Sequence, residues 1–105
     1  MRKMKTLNEY EEGYFREHPE EIDEYIKVIF EEYAKDEDIG ALLSSLRILS
    51  RVKGISSMAE TVGMTRKGLQ KSLSEQGNPK FSNVNSILHA MGYSLMPQKL
   101  DVHTV

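Results

Sequence analysis

Polar side chains rich in hydrogen-bond donors occupy a short stretch of this chain, at Thr65, Arg66, Lys67, Gln70 and Lys71. Arg and Lys can donate to guanine or to phosphate, a Gln amide can pair bidentately with adenine, and a Thr offers a hydroxyl and a methyl group. No acidic residue occurs from position 61 to position 74. These residue types favour contact with a nucleic-acid duplex, and the alternative is an exposed polar face on a packing helix.

Further groups that suit phosphate flank this stretch. Two serines stand where a helix is expected to begin, and the free amides of a helix N-terminus bind phosphate. Lysines before and after the stretch add positive charge. We therefore predict base contacts from Thr65, Arg66, Lys67 and Gln70, and backbone contacts from Lys53, Ser56, Ser57, Lys71 and Lys80.

Catalytic and metal chemistry are not favoured. Adjacent carboxylates such as Glu11 and Glu12 point in different directions on a helix, so they do not form an acid-base pair and are expected to be solvated. The histidines at positions 18, 89 and 103 lack the spacing of a zinc helix, and the chain has no cysteine. No Gly-rich phosphate loop or nucleophile elbow occurs. We expect no enzymatic activity, no metal and no cofactor.

Two short helices joined by a tight turn would present the cationic stretch. Ser56 is expected to cap the first helix, Gly63 to form the turn and Thr65 to cap the second helix. Ala59 supplies the small residue needed where two such helices cross. A bulky aliphatic residue is expected near the end of the second helix, but Ser72 stands there with Leu73 next to it. The residues predicted to be buried around the turn are Met58, Val62, Met64 and Leu69.

Apolar periodicity predicts further helices on both sides. Residues 20–35 carry an apolar stripe behind Pro19, and Asp38 is expected to cap a helix that ends at Gly54. Ser82 is expected to begin a last helix that Gly92 closes, before a short strand at 93–96. The inward residues predicted for these last two helices are Ile39, Leu42, Leu43, Leu46 and Leu49, and then Val84, Ile87, Leu88 and Met91.

The fold class is therefore all-α, with about five helices in a lambda-repressor-like arrangement. Within it, we predict that residues 1–37 form an acidic helical region, which is a candidate arm for a protein partner. Residues 38–96 form the DNA-binding domain, and residues 97–105 form a frayed tail. With no run near the ~18 apolar residues of a membrane span and no signal sequence, we expect a cytoplasmic protein.

Charge and aromatic residues divide the chain. Residues 1–40 hold six Lys or Arg against thirteen Asp or Glu, whereas residues 41–105 hold eight against three. Such a split predicts a polyanion as partner of the basic part, and either a cationic partner or a merely solvated face for the acidic part. Aromatic anchors rimmed by charge suit a protein interface. Tyr10, Tyr14 and Phe15 are the predicted interface residues, whereas the aromatic residues at positions 25, 30 and 33 are expected to fill the core.

The stretch from Gly54 to Met96 resembles the helix-turn-helix addiction module antidote proteins, the HigA-like branch of the Xre repressor class. The matching residues are Ala59, Gly63, Arg66, Leu73, Ser74, Gly77, Asn78, Pro79, Phe81 and Ser82. The acidic helices upstream are similar more loosely, so that about eighty residues are covered. Lys67, Gly68 and Ser72 depart from the family pattern, which leaves the operator sequence open.

The resemblance implies an antitoxin that masks a small basic ribonuclease toxin of the RelE-like kind, with residues 1–37 as the candidate toxin-binding arm, and that represses its own operon. A homodimer is expected on geometry, because two recognition helices read half-sites about 34 Å apart on one face of the duplex. The last helix and residues 93–96 are the candidates for the dimer contact. Two alternatives remain: a stand-alone phage-type or metabolic regulator, and a sequestering module that no longer binds DNA.

Overall fold

Six α-helices and one 3-10 turn make up the computed structural model, which describes residues 7–100. Within that range no residue is in a β-strand, so the all-α prediction is confirmed and the strand expected at 93–96 is absent. The count also exceeds the expected five helices. The elements are α1 (Leu7–Glu17), a 3-10 turn (Pro19–Glu21), α2 (Ile22–Asp36), α3 (Ile39–Lys53), α4 (Ile55–Val62), α5 (Arg66–Ser72) and α6 (Phe81–Ala90).

Local chemistry sets most helix boundaries. The Asp38 carboxylate accepts from the Ala41 amide at 3.1 Å, which caps α3 as predicted. Gly54 ends α3 with φ 107°, and it also precedes the first residue of α4. The cap predicted at Ser56 is wrong, because Gly54 caps α4 without a side-chain hydrogen bond. The last helix begins at Phe81, one residue before the predicted Ser82, with Lys80 at its N-cap.

One hydrophobic core joins residues from every helix. Leu46, Leu49, Leu69, Leu73 and Ile87 are each 0% exposed. The core continues into α1 and α2 through Phe15, Ile22 and Ile26, and α1 packs along α3. The predicted arm at 1–37 is therefore anchored to the rest of the molecule from Leu7 onward, while residues 1–6 lie outside the described range.

Most of the core residues predicted for α3, α4, α5, α6 and the turn between α4 and α5 are buried, with four exceptions: Ile39, Val62, Met64 and Val84, of which Val84 is partly buried at the edge of the core. Ile39 is 46% exposed, because it is the first residue of α3 and lies on the side away from the core. Val62 and Met64 are only partly buried and pack against the edge of the core. The aromatic residues at positions 25, 30 and 33 also pack against the core from a half-buried position, as expected.

The segment after α6 lies along the molecule as irregular chain. The Tyr93 hydroxyl donates to the Asp23 carboxylate on α2, and burial followed by this hydrogen bond raises the pKa of Tyr93 to about 12. Residues 97–100 are exposed and belong to no helix, and the remainder of the predicted frayed tail, residues 101–105, lies outside the described range. No helix of the described chain is both long and apolar enough to cross a membrane.

Candidate nucleic-acid interface

The turn between α4 and α5 holds the two helices against each other. Gly63 adopts a left-handed conformation with φ 74° and its amide donates to the backbone of the last turn of α4. The Met64 amide then donates to the Ala59 carbonyl at 2.9 Å. Ala59 is 3% exposed, so the position expected to be small is a packed one. The chain therefore leaves α4 and enters α5 after only three residues.

The N-terminus of α5 is capped by Thr65. Its side-chain oxygen accepts from the Gly68 amide at 2.9 Å. A methyl group added at Gly68 would lie 2.9 Å from that same oxygen, so the absence of a side chain there leaves room for the cap. Glycine in this helix interior costs about 1 kcal/mol relative to alanine, and the cap offsets part of that cost.

The buried side of α5 is formed by leucines. Leu69 and Leu73 are both 0% exposed, whereas Ser72 is half-buried. The sequence pattern expected a bulky residue at position 72, but Ser72 stands there. Leu73, one residue later, supplies the buried aliphatic side chain instead. This orientation directs Thr65, Arg66, Lys67 and Lys71 to the surface, where all four are exposed.

The cations of α5, which are Arg66, Lys67 and Lys71, have no ion-pair partner among residues 7–100. Beside Lys71 lies a shallow groove of about 530 Å³, lined also by Gly68 and by the loop from Ser74 to Asn78. Such a surface can attract and hold a polyanion, since each lysine or arginine can replace a counterion of the phosphate backbone.

The flanking residues predicted to hold phosphate are exposed. They are Lys53, Ser56, Ser57 and Lys80. Ser56 and Ser57 occupy the first turn of α4, where no side chain caps the free amides. Both serines are accessible to a phosphate group through their exposed side chains and through these amides. Neither serine is the helix cap.

Gln70 differs from its neighbours because it is half-buried and already hydrogen-bonded. The Nη2 atom of Arg51 on α3 donates to the Gln70 Oε1 atom at 3.0 Å. Arg51 was not among the residues predicted from the sequence, because nothing in the local pattern links two residues that are nineteen positions apart. Exposed Phe81, 77% accessible at the start of α6, was likewise not singled out as a surface residue.

The residues predicted to contact a protein partner lie on α1. Tyr10 is 67% exposed and Tyr14 is 40% exposed, so both rings are on the surface of α1. Phe15 is 6% exposed and packs against Tyr25 with ring centroids 4.5 Å apart. Phe15 is therefore a core residue. Its ring offers no surface to a partner in this conformation, unlike the rings of Tyr10 and Tyr14.

Hydrogen bonds hold the Tyr14 region in place. The Tyr14 hydroxyl donates to Glu21 at 2.5 Å, and this bond is the main cause of its raised pKa. His18, Glu20 and Glu21 bring ligand atoms within 4.8 Å of one another, a grouping that was not predicted from the sequence. The Glu21 carboxylate accepts from Tyr14 and Glu20 faces His18 at 3.4 Å, so these contacts already account for the grouping.

These features define the class: over residues 7–100 the chain is a small all-helical protein with a cationic helix, α5, and two helices rich in acidic residues, α1 and α2. The chain belongs to the family described as "Probable addiction module antidote protein", whose model matches residues 6–99. A Haemophilus influenzae protein described as uncharacterized is 31% identical over 77 residues, which cover 73% of this chain and 79% of that protein. No solved structure matches the chain significantly. Family membership supports an antitoxin role, suggests a non-catalytic protein and implies a toxin as partner.

Proposed function

We propose that this protein is the antitoxin of a type II toxin-antitoxin operon, and that it binds operator DNA and represses its own transcription. The proposal of DNA binding rests on the exposed cationic surface of α5. The Gly63 turn and the Thr65 cap fix the position of this helix. In this reading the α4–α5 pair is a helix-turn-helix of the Xre class. α5 enters the major groove, and the serines at the start of α4 contact phosphate.

Base reading is assigned to the exposed residues at the start of α5. Arg66 lies in the first turn and can donate bidentately to guanine, whereas Lys71 and the flanking Lys53 and Lys80 reach phosphate. Arg66→Ala should lower the affinity by roughly 1–3 kcal/mol and relax the preference at one operator position. Lys35→Ala, which removes an equally exposed cation from α2, is the matched control.

The assay is gel retardation with the DNA upstream of the chain's own gene, at several salt concentrations. Wild-type protein and Lys35→Ala should retard this DNA equally, with affinity that falls steeply as salt increases. If Arg66→Ala lost the same affinity for this DNA and for an unrelated duplex, Arg66 would be reassigned to a phosphate contact. Absence of any retardation at low salt would leave only the sequestering role.

A small basic toxin of the RelE-like ribonuclease kind is the proposed protein partner. The acidic α1–α2 surface offers charge complementarity, and Tyr10 and Tyr14 offer aromatic anchors within it. Deletion of residues 1–17 would remove the proposed toxin-binding tyrosines. It would also remove Phe15 from the core and Glu12 from its ion pairs, so a point substitution is the cleaner test.

Tyr10→Ala provides that test, with co-purification of the product of the adjacent reading frame as the measurement. Phe81→Ala is the matched control, because it truncates an aromatic ring of similar exposure on another helix. We expect Tyr10→Ala to release the toxin and restore its toxicity in cells, while Phe81→Ala retains it. An adjacent frame whose product never co-purifies would favour a stand-alone regulator.

A homodimer is proposed because one recognition helix spans too few base pairs for an operator. The apolar side of α6 is used by the protein's own core, since Ile87 and Leu88 are at most 1% exposed. The segment after α6 remains available: Met96 is 78% exposed at a groove of about 670 Å³ that Phe30 also lines. Met96→Glu should shift the sedimentation mass from dimer to monomer and weaken operator binding; an unchanged mass would place the contact elsewhere.

A further inference from the structure

The amide group of Gln70 has a defined orientation. Arg51 has only donors on its side chain, so the atom that faces it at 3.0 Å must be the amide oxygen of Gln70. The amide nitrogen of Gln70 is therefore the end that does not face the Arg51 guanidinium. A glutamine amide that is free to rotate has no such preference, and its two ends can exchange.

Arg51 is itself held by contacts to α1. Its Nη1 atom lies 3.9 Å from Glu12 Oε1, and Glu12 also pairs with Arg16 at 2.7 Å. Arg16 in turn donates to the backbone carbonyl of Arg51 at 3.1 Å. The guanidinium group is thus braced from one side by α1, while its other end fixes Gln70 on α5.

This orientation conflicts with the bidentate adenine contact expected from the residue type. That contact requires the amide oxygen to accept from adenine N6 while the amide nitrogen donates to N7. Arg51 occupies one acceptor site of the oxygen, so an adenine N6 group would have to share that atom with a cation, whereas the amide nitrogen has no hydrogen-bond partner among the described residues. A lone donor suits guanine, which offers O6 and N7 as adjacent acceptors, and it opposes the N6 amino group of adenine.

We propose that Arg51 is a specificity-determining residue that orients Gln70 as a donor, so that the position read by Gln70 prefers guanine to adenine. This proposal rests on the proposed DNA-binding function of α5. Arg51 acts here as a positioning residue and needs no contact with DNA itself. Loss of its donors should release the amide and allow the bidentate pair with adenine.

The test is selection of bound sequences from a pool of random DNA duplexes by the full chain. The position read by Gln70 is the one whose preference disappears with Gln70→Ala. Wild-type protein should enrich guanine there, and Arg51→Met should shift the guanine-to-adenine ratio toward adenine by roughly fivefold or more. Arg16→Ala, which leaves the donors of Arg51 intact, should keep guanine.

A second variant covers the case in which Arg51→Met does not fold. Gln70→Glu still accepts from Arg51 but has no amide nitrogen, so it should lose the guanine preference at that position. Adenine enrichment by wild-type protein, or an unchanged ratio in a folded Arg51→Met, would overturn the proposal while leaving DNA binding intact. Failure of wild-type protein to retain any duplex would instead refute the proposed function, and this proposal with it.

Discussion

Gly77 is the position at which a single methyl group should disturb the cationic helix most. A β-carbon placed there would lie 2.2 Å from the Ser72 carbonyl oxygen, 2.8 Å from the Ser72 carbonyl carbon and 2.9 Å from the Lys71 carbonyl oxygen. All three atoms belong to the backbone at the end of α5, so no side-chain rotation can relieve the overlap. Gly77→Ala must therefore displace the loop or the last turn of α5.

The magnitude follows from this geometry. Ordinary contact begins at 3.4 Å, so the backbone must separate by about 1.2 Å at the closest pair. Overpacking of this kind costs roughly 1–3 kcal/mol. The Lys71 carbonyl also accepts from the amide and the hydroxyl of Ser74, and losing either hydrogen bond adds about 1 kcal/mol. We expect a loss of about 2–4 kcal/mol from the free energy of unfolding.

Gly13→Ala is the matched control, because it makes the same chemical change in open space. Gly13 lies within α1 and an added β-carbon would meet no atom within 4 Å. Alanine should stabilise this helix by about 0.5–1 kcal/mol. Urea denaturation followed by circular dichroism measures both variants, and gel retardation measures the effect of a displaced α5 on DNA affinity.

The two variants should thus change stability in opposite directions. A Gly77→Ala protein as stable as the wild type would refute the close approach between the loop and α5. Equal destabilisation by both substitutions would show that a general effect of the added methyl group, rather than the local contact, governs the result.

Three further predictions concern the cap of α5, the buried side of α5 and the segment after α6. Thr65→Ala should lower the free energy of unfolding by about 0.5–2 kcal/mol in urea titrations, because the α5 cap is lost, while Thr65→Ser should restore most of it. Leu69→Ala should cost about 2–5 kcal/mol by the same measurement, whereas Val28→Ala, at a side chain 40% exposed, should cost far less. The pKa of Tyr93 is raised from 10.0 to about 12, so its contribution to stability is fully present below pH 10 and lost toward pH 12. Tyr93→Phe should remove this alkaline loss in unfolding measurements, and the tyrosine that titrates last should disappear from the phenolate absorbance curve. Retention of that last titration would assign it to a different tyrosine.

Much of the fold could be predicted from the sequence, because helix periodicity and caps depend on residues within a few positions of one another. Asp38 and Thr65 cap their helices as expected, and Gly54 and Gly63 have the positive φ values of helix ends. The same local information placed Leu69 in the core and left Arg66 and Lys67 at the surface. The cap expected at Ser56 was misplaced, since a serine near a helix start is a preference that neighbouring backbone geometry can override.

The tertiary structure alone decided how distant residues meet. Phe15 lies in a charged, exposed-looking segment, yet the packing of α1 on α3 buries it. Arg51 orients Gln70 across nineteen residues, and Tyr93 reaches Asp23 across seventy. Such contacts depend on how whole helices pack around a shared core, and the spacing of residues within one helix carries no information about that packing.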